Sequence, residues 1–281
     1  MGRIVYAAAM SHVLHPPYYE KNVGPHGKRM VEELIAVVGE MGRELAARRP
    51  DALVVVADDH LNVFSFDAVP AMCVRIGRSV SRMSQEGAIE FDRALDGLPE
   101  RYPVHEDLAS TILEQGMQAG FDFAASWSAP LDHAFLSPVS TLYGERPVPP
   151  LVPFWVNCFV TPQPTAKRCF DAGRHIARVV ADGPWNVAVI ATGGLSHFPE
   201  LSLARIGQSD PAFDRRIVRL MEAGDHDAMT ALTAKELHES GSHELLNWLV
   251  LLGAVSPARA RVRFYGEMGR VDLAALEWEL A

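Results

Sequence analysis

Basic residues are outnumbered in this chain of 281 residues, with 26 Lys and Arg against 35 Asp and Glu, a formal net charge of −9. No basic stripe interrupts the acidic balance, which argues against a nucleic-acid surface. Cysteine is scarce: Cys73, Cys158 and Cys169 share no CxxC spacing, and each sits in or beside an apolar segment. They read as reduced packing residues of a reducing compartment rather than metal or redox groups. Long apolar runs are missing too. LVVVA at 53–57 and NVAVIA at 186–191 are strand-length and too short to span a bilayer. The opening MGRIVYAAAMSH has neither the basic flank nor the cleavage site of a signal peptide. The expectation is a cytoplasmic protein with no membrane and no nucleic-acid partner. No linker, low-complexity tract or internal repeat divides the chain, so residues 1–281 read as a single domain.

What is present is an alternation of short apolar runs with helical periodicities. Strands are expected at Arg3–Ala9, Ala52–Ala57, Phe121–Trp127, Leu151–Val160, Trp185–Thr192 and Arg261–Tyr265. Val31, Leu34, Ile35, Val38, Met41 and Leu45 recur on one helical face, and Pro50 closes that helix. Further helices are expected at Ala88–Leu95, Leu108–Ala119, Ala166–Val180, Ala212–Glu222 and Glu244–Leu252, the last amphipathic. This order predicts an α/β fold, a mainly buried mixed sheet with helices on both faces.

In such folds ligands collect beyond the strand ends. His12, His60, His133 and His197 all follow strand candidates, four of the chain's eleven histidines. Two neutral imidazoles and one carboxylate on one face form the triad that suits Fe(II) enzymes activating O2. His12 and His60 offer the nitrogens. Glu244 in ESGSHELLNWL offers the carboxylate from the first turn of the last helix. Each residue has a plainer reading as well. A post-strand histidine commonly just bonds its loop, and the helix dipole favours Glu244 without any metal. His15 stands three residues after His12, but Pro16 and Pro17 speak against a helix there. His243 points about 100° away from its neighbour Glu244 on a helix. His26, His105, His175, His226 and His238 read as surface residues.

The motifs taken in order favour the metal reading. SH at 11–12, DDH at 58–60 followed by FSFDAVP, LDHAFLSP at 131–138, VPFWVNCFVTPQPTAKRCF at 152–170, ATGGLSH at 191–197 and HELLNWL at 243–249 resemble the class III extradiol dioxygenases. The likeness is to the catalytic β subunit of protocatechuate 4,5-dioxygenase and covers nearly the whole chain. It implies a LigB-like α/β fold, Fe(II) held by His12, His60 and Glu244, and His197 as catalytic base. It also implies that His133 contacts substrate or relays a proton. The implied reaction opens a catechol-type ring with O2 to a semialdehyde acid. Aminophenol or hydroxypyridine cleavage is the alternative within enzymes, and a non-catalytic Memo-like binding module the alternative outside them.

Two departures stand out. Asp58 occupies a position where that subunit has Asn. YGEMGRVD at 265–272 replaces its carboxylate-binding Ser-Asn-Thr stretch, with Arg270 as an electrostatic substitute. The related subunit is lidded by a small helical partner. The expectation here is therefore a homo-oligomer or a small lid subunit, with the polar 15–29 segment, loosened by Gly24 and Gly27, as the lid from within.

Overall fold

The structure is a computed structural model that describes residues 1–84, 95, 97–198 and 207–280. In chain order its elements are β1 (Arg3–Met10), α1 (Pro16–Asn22), α2 (Pro25–Ala47), β2 (Ala52–Asp58), β3 (Met72–Arg75), β4 (Ser79–Ser81), β5 (Arg101–Pro103), α3 (Glu106–Gln118), β6 (Ala124–Ser126) and α4 (His133–Tyr143). Next come β7 (Leu151–Val156), α5 (Ala166–Asp182), β8 (Asn186–Thr192), α6 (Pro211–Ala223), α7 (His226–Thr230), α8 (Ala234–Ser240), α9 (Leu245–Val255), β9 (Ala260–Glu267) and β10 (Asp272–Trp278).

Eight strands form one mixed sheet in the order β6-β3-β7-β2-β8-β1-β10-β9, and β4 pairs with β5 apart from it. The centre, β7-β2-β8-β1, is parallel, and β10 and β9 join antiparallel at the β1 side. β2 is buried at every residue, as a sheet covered on both faces requires. α2 and α4 pack together over one region, while α5 and α9 pack together and against β1. The single α/β domain with helices around a buried mixed sheet is the expected architecture.

Several local expectations change. Pro16 and Pro17 open α1 instead of preventing it, because a helix's first residues need no N–H partner. His15 is left at its N-cap, outside the helix. The helix at α9 is not amphipathic: all eleven of its residues are buried between sheet and α5, so every face is apolar-lined. The strand expected over Phe121–Trp127 shrinks to Ala124–Ser126, and that over Leu151–Val160 stops at Val156. β10 was not foreseen. DLAALEW is rich in helix formers, and its pairing between β1 and β9 overrides that local preference. The helix expected over Ala88–Leu95 falls almost wholly on residues outside those described. His175 is buried, not on the surface, with Nε2 2.9 Å from the Ile112 carbonyl. All three cysteines are buried and free, as expected.

Candidate metal centre

Three adjacent parallel strands end together, and the loops beyond those ends assemble the site. His12 lies just past β1, Asp58 ends β2 with His60 beyond it, and the GGLSH loop to His197 leaves β8, which lies between β1 and β2. Ser11 pins the first of these ends: its N–H donates to the Ala274 carbonyl at 2.9 Å, and its Oγ accepts from Ala274 N–H at 3.1 Å. The fourth wall is the start of α9, where Glu244 immediately precedes the first helical residue.

Glu244 is oriented by the double glycine. Gly194 N–H donates to Oε2 at 3.0 Å. Gly193 has φ +92°, and a Cβ there would lie 2.8 Å from both Cβ and Oε2 of Glu244. Only glycine allows this approach. Oε1 is left facing inward, 3.8 Å from His12 Nε2, 3.6 Å from His60 Nε2 and 3.3 Å from His197 Nε2. The His12 and His60 rings meet edge-on at 5.0 Å, and His133 stacks on His60 at 4.7 Å and stands edge-on to His12 at 5.3 Å. All five residues singled out in the sequence thus converge. His243 turns aside towards Phe159 and His238.

Among the described residues two sets could hold a metal: His12, Asp58, His60 and Glu244, and His12, His60 and His133. Within each set, donor atoms lie within 4.8 Å of one another. The donors fit a divalent cation. His12 Nδ1, His60 Nδ1, Asp58 Oδ2 and Glu244 Oε1 are buried without a hydrogen-bond partner, a cost that proteins rarely leave uncompensated. Burial pulls the His12 imidazole down to about 3, so it is the neutral form a ligand needs. Burial acts the same way on His60, but the charge of Asp58 and the close approach of the Asp132 and Glu244 carboxylates outweigh it and hold His60 well above its ordinary value. His197 is likewise pulled down by burial and then raised to about 9, chiefly by the charge of Glu244. Burial would raise Glu244, yet His12 and His197 hold its carboxyl well below the usual range. The cluster therefore favours positive charge at its centre.

Asp132 and Asn247 complete the surroundings, and neither was singled out from the sequence. Asp132 caps α4 by accepting from Ala134 N–H, accepts from Asn62 Nδ2 at 3.0 Å and faces His60 Nδ1 at 3.6 Å. Its signal was the LDHAFL pattern, an Asp directly before an apolar helix start. Asn247, three residues after Glu244, donates to Asp58 Oδ1 at 2.9 Å and to the Thr192 carbonyl at 3.1 Å. Arg270 is exposed and donates to the Asn22 carbonyl at 2.8 Å, tying the C-terminal hairpin to the end of α1.

The chain is similar to known proteins over most of its length. The family model described as the catalytic LigB subunit of aromatic ring-opening dioxygenase matches residues 6–273. A 2,3-dihydroxyphenylpropionate/2,3-dihydroxicinnamic acid 1,2-dioxygenase of Escherichia coli is 24% identical, over 85% of this chain and 88% of that one. A protein of the same name from Photorhabdus laumondii is 28% identical over 65% of this chain. The match spans only 53% of that relative's length. The crystal structure of an uncharacterised Escherichia coli K12 protein, JW3007, superposes with a TM-score of 0.60 at 17% identity, covering 97% of this chain and 99% of that one, which shows a shared fold. The chain belongs to the family of catalytic LigB subunits of aromatic ring-opening dioxygenases.

Proposed function

We propose that the chain is a single catalytic domain that opens a catechol-type aromatic ring by extradiol cleavage with O2, with Fe(II) held by His12, His60 and Glu244. The observation that carries this reading is the convergence of His12 and His60 on the inward oxygen of Glu244, at 3.8 and 3.6 Å, in a family of ring-opening dioxygenases. His12, His60 and Glu244 would hold Fe(II), which would supply the redox coupling between a catechol-type ring and O2. The relatives are named for catechols that carry a carboxylate side arm, so carboxylated catechols, protocatechuate among them, are the substrate class.

The protein's own groups supply the proton chemistry. His197 Nδ1 lies 3.1 Å from the Leu195 carbonyl. A carbonyl only accepts, so Nδ1 carries the hydrogen and Nε2 is the nitrogen that takes or releases a proton. What holds that proton high is the charge of Glu244. A cation sharing this carboxylate weakens the hold and brings Nε2 towards the range of a general base for the second ring hydroxyl. His133, fixed at the start of α4 by the Asp132 cap and stacked on His60, stands as the second group able to touch the ring or pass a proton. His12 and Glu244 are nearly sealed at 4% and 3% exposure, whereas His60 and His197 keep 21% and 24%. The ring therefore enters on the His60–His197 side.

Water is kept out partly by α1. Tyr19 is buried there, and burial first, then Tyr18 and Glu244, push its hydroxyl upward. The remaining cover comes from a second copy of the chain or a small helical subunit, since α1 is a packed helix and not a free strap. No helix among the described residues is long and apolar enough to cross a membrane, and the cytoplasm is the proposed location.

The test is oxygen uptake by the anaerobically reconstituted protein across catechols, gallates, aminophenols and hydroxypyridines, beside metal analysis of His12→Ala, His60→Ala and Glu244→Ala. Uptake with catechols and loss of stoichiometric iron in all three variants are expected. Full iron in any of them, or uptake only with aminophenols, rejects the triad or the substrate class respectively.

A further inference from the structure

Three aspartates flank the site, and their oxygens are spent differently. Asp59 is fully engaged by its own loop, accepting from the N–H groups of Asn62, Val63 and Phe64 at 3.2, 3.0 and 2.8 Å. Asp132 is likewise taken, one oxygen by Ala134 N–H and the other by Asn62 Nδ2. Asp58 is not. Its Oδ1 accepts from Asn247 Nδ2 at 2.9 Å, while Oδ2 is buried with no hydrogen-bond partner. The residue has no exposed surface, and Oδ2 stands 3.3 Å from His60 Nε2.

We propose that Asp58 is a fourth protein donor to the metal in the substrate-free protein, so that the resting chain holds its cation with two imidazoles and two carboxylates instead of one. The proposal rests on the reading of His12, His60 and Glu244 as the metal site.

Geometry supports it first. Two donors bound at about 2.1 Å to one ion stand no more than about 4.2 Å apart. The contacts His60–Asp58, His60–Glu244 and His12–Glu244, at 3.3, 3.6 and 3.8 Å, all satisfy that bound. The 3.3 Å approach makes no hydrogen bond for Oδ2, as two lone pairs aimed at a common third point would not. Charge supports it next. A divalent cation among neutral imidazoles and one carboxylate keeps a net positive charge in a buried site, and burying uncompensated charge is costly. A second carboxylate brings the centre to neutrality. Asn247 serves this arrangement from the side: by fixing Oδ1, and itself fixed by the Thr192 carbonyl, it turns Oδ2 inward. The resulting oxygen-richer donor set leans towards Fe(II) and Mn(II) and away from softer ions.

The experiment is an anaerobic titration of the metal-free full chain with Fe(II), and separately Mn(II), for wild type, Asp58→Asn, Asp58→Ala and His12→Ala, with urea denaturation of each metal-free protein. Asn at 58 keeps the acceptor for Asn247 and the volume, so Asp58→Asn is expected to be at least as stable as wild type without metal. Its affinity for Fe(II) is expected to fall by about 10–100-fold, the scale of a lost supporting group, or further. Asp58→Ala should lose metal to a similar degree. Binding by Asp58→Asn within about twofold of wild type, with His12→Ala still abolishing it, overturns the proposal and leaves the triad standing. An affinity loss matched by an equal loss of metal-free stability makes Asp58 structural and also overturns it. Failure of wild type to bind Fe(II) removes both readings together.

Discussion

Gly193 and Gly24 have nearly the same backbone angle, φ +92° and +93°, but opposite surroundings. A Cβ on Gly24 meets nothing within 4 Å, whereas one on Gly193 meets Glu244 Cβ and Oε2 at 2.8 Å and Asn247 Nδ2 at 3.3 Å. Alanine at either position incurs the strain of a positive φ in an L residue, about 1–3 kcal/mol, and at Gly24 the ψ of −172° lies in a region left almost wholly to glycine. Only at 193 does it also overpack a buried neighbour, adding about 1–3 kcal/mol. Gly24→Ala should therefore lose about 1–3 kcal/mol and Gly193→Ala about 2–6 kcal/mol, read as urea midpoints of the metal-free proteins. The two should also differ in kind. Displacing Glu244 strains its 3.0 Å bond from Gly194 N–H and moves the inward oxygen, so Fe(II) affinity should fall by about 10–100-fold in Gly193→Ala and stay unchanged in Gly24→Ala. Equal destabilisation of the two variants with wild-type Fe(II) binding in both would refute the argument that the double glycine exists to seat Glu244.

His197→Ala should retain iron and lose about 10²–10⁴ in turnover, the range for a missing general base; metal analysis beside steady-state oxygen uptake checks this, and loss of iron would place His197 among the ligands. Asp214 is fully buried beneath the His197 loop, accepting from Ser196 N–H at 3.0 Å and from Ser196 Oγ. Burial raises its carboxyl to about 7 against the pull of the Ser196 bonds, and the neighbouring Asp272 is raised with it. A folded-state value above the ordinary 3.8 means stability fully present below that value and lost as pH rises through about 7. Urea midpoints should thus decline from pH 5 to pH 8, and Asp214→Asn should flatten the decline; an unchanged slope in the variant would show that another group titrates. Size determination in solution, combined with turnover of the purified chain, tests the second chain over the site, and a strictly monomeric protein with long-lived activity would leave α1 as its cover.

Much was legible along the chain because it was written in local signals. Buried-strand runs such as LVVVA and NVAVIA announced the central sheet, since a strand covered on both faces must be apolar throughout. The periodicity from Val31 to Leu45 announced α2, whose buried face is Val31, Leu34, Val38, Met41 and Leu45. His12, His60, His133, His197 and Glu244 could be singled out because each lies in a short motif that resembles the family's. What the sequence could not contain is distance. Asp58 and Asn247 are 189 positions apart, and no local pattern records that α9 descends onto the ends of β2 and β8. β10 escaped for the same reason, because its strand character is imposed by pairing with β1 and β9 and opposes its composition. The sequence by itself determined the family, the sheet's buried strands and the residue types of the site. Only the tertiary structure decided which carboxylates face the centre, because burial and unfilled hydrogen-bonding capacity belong to the packed molecule and not to any segment of it.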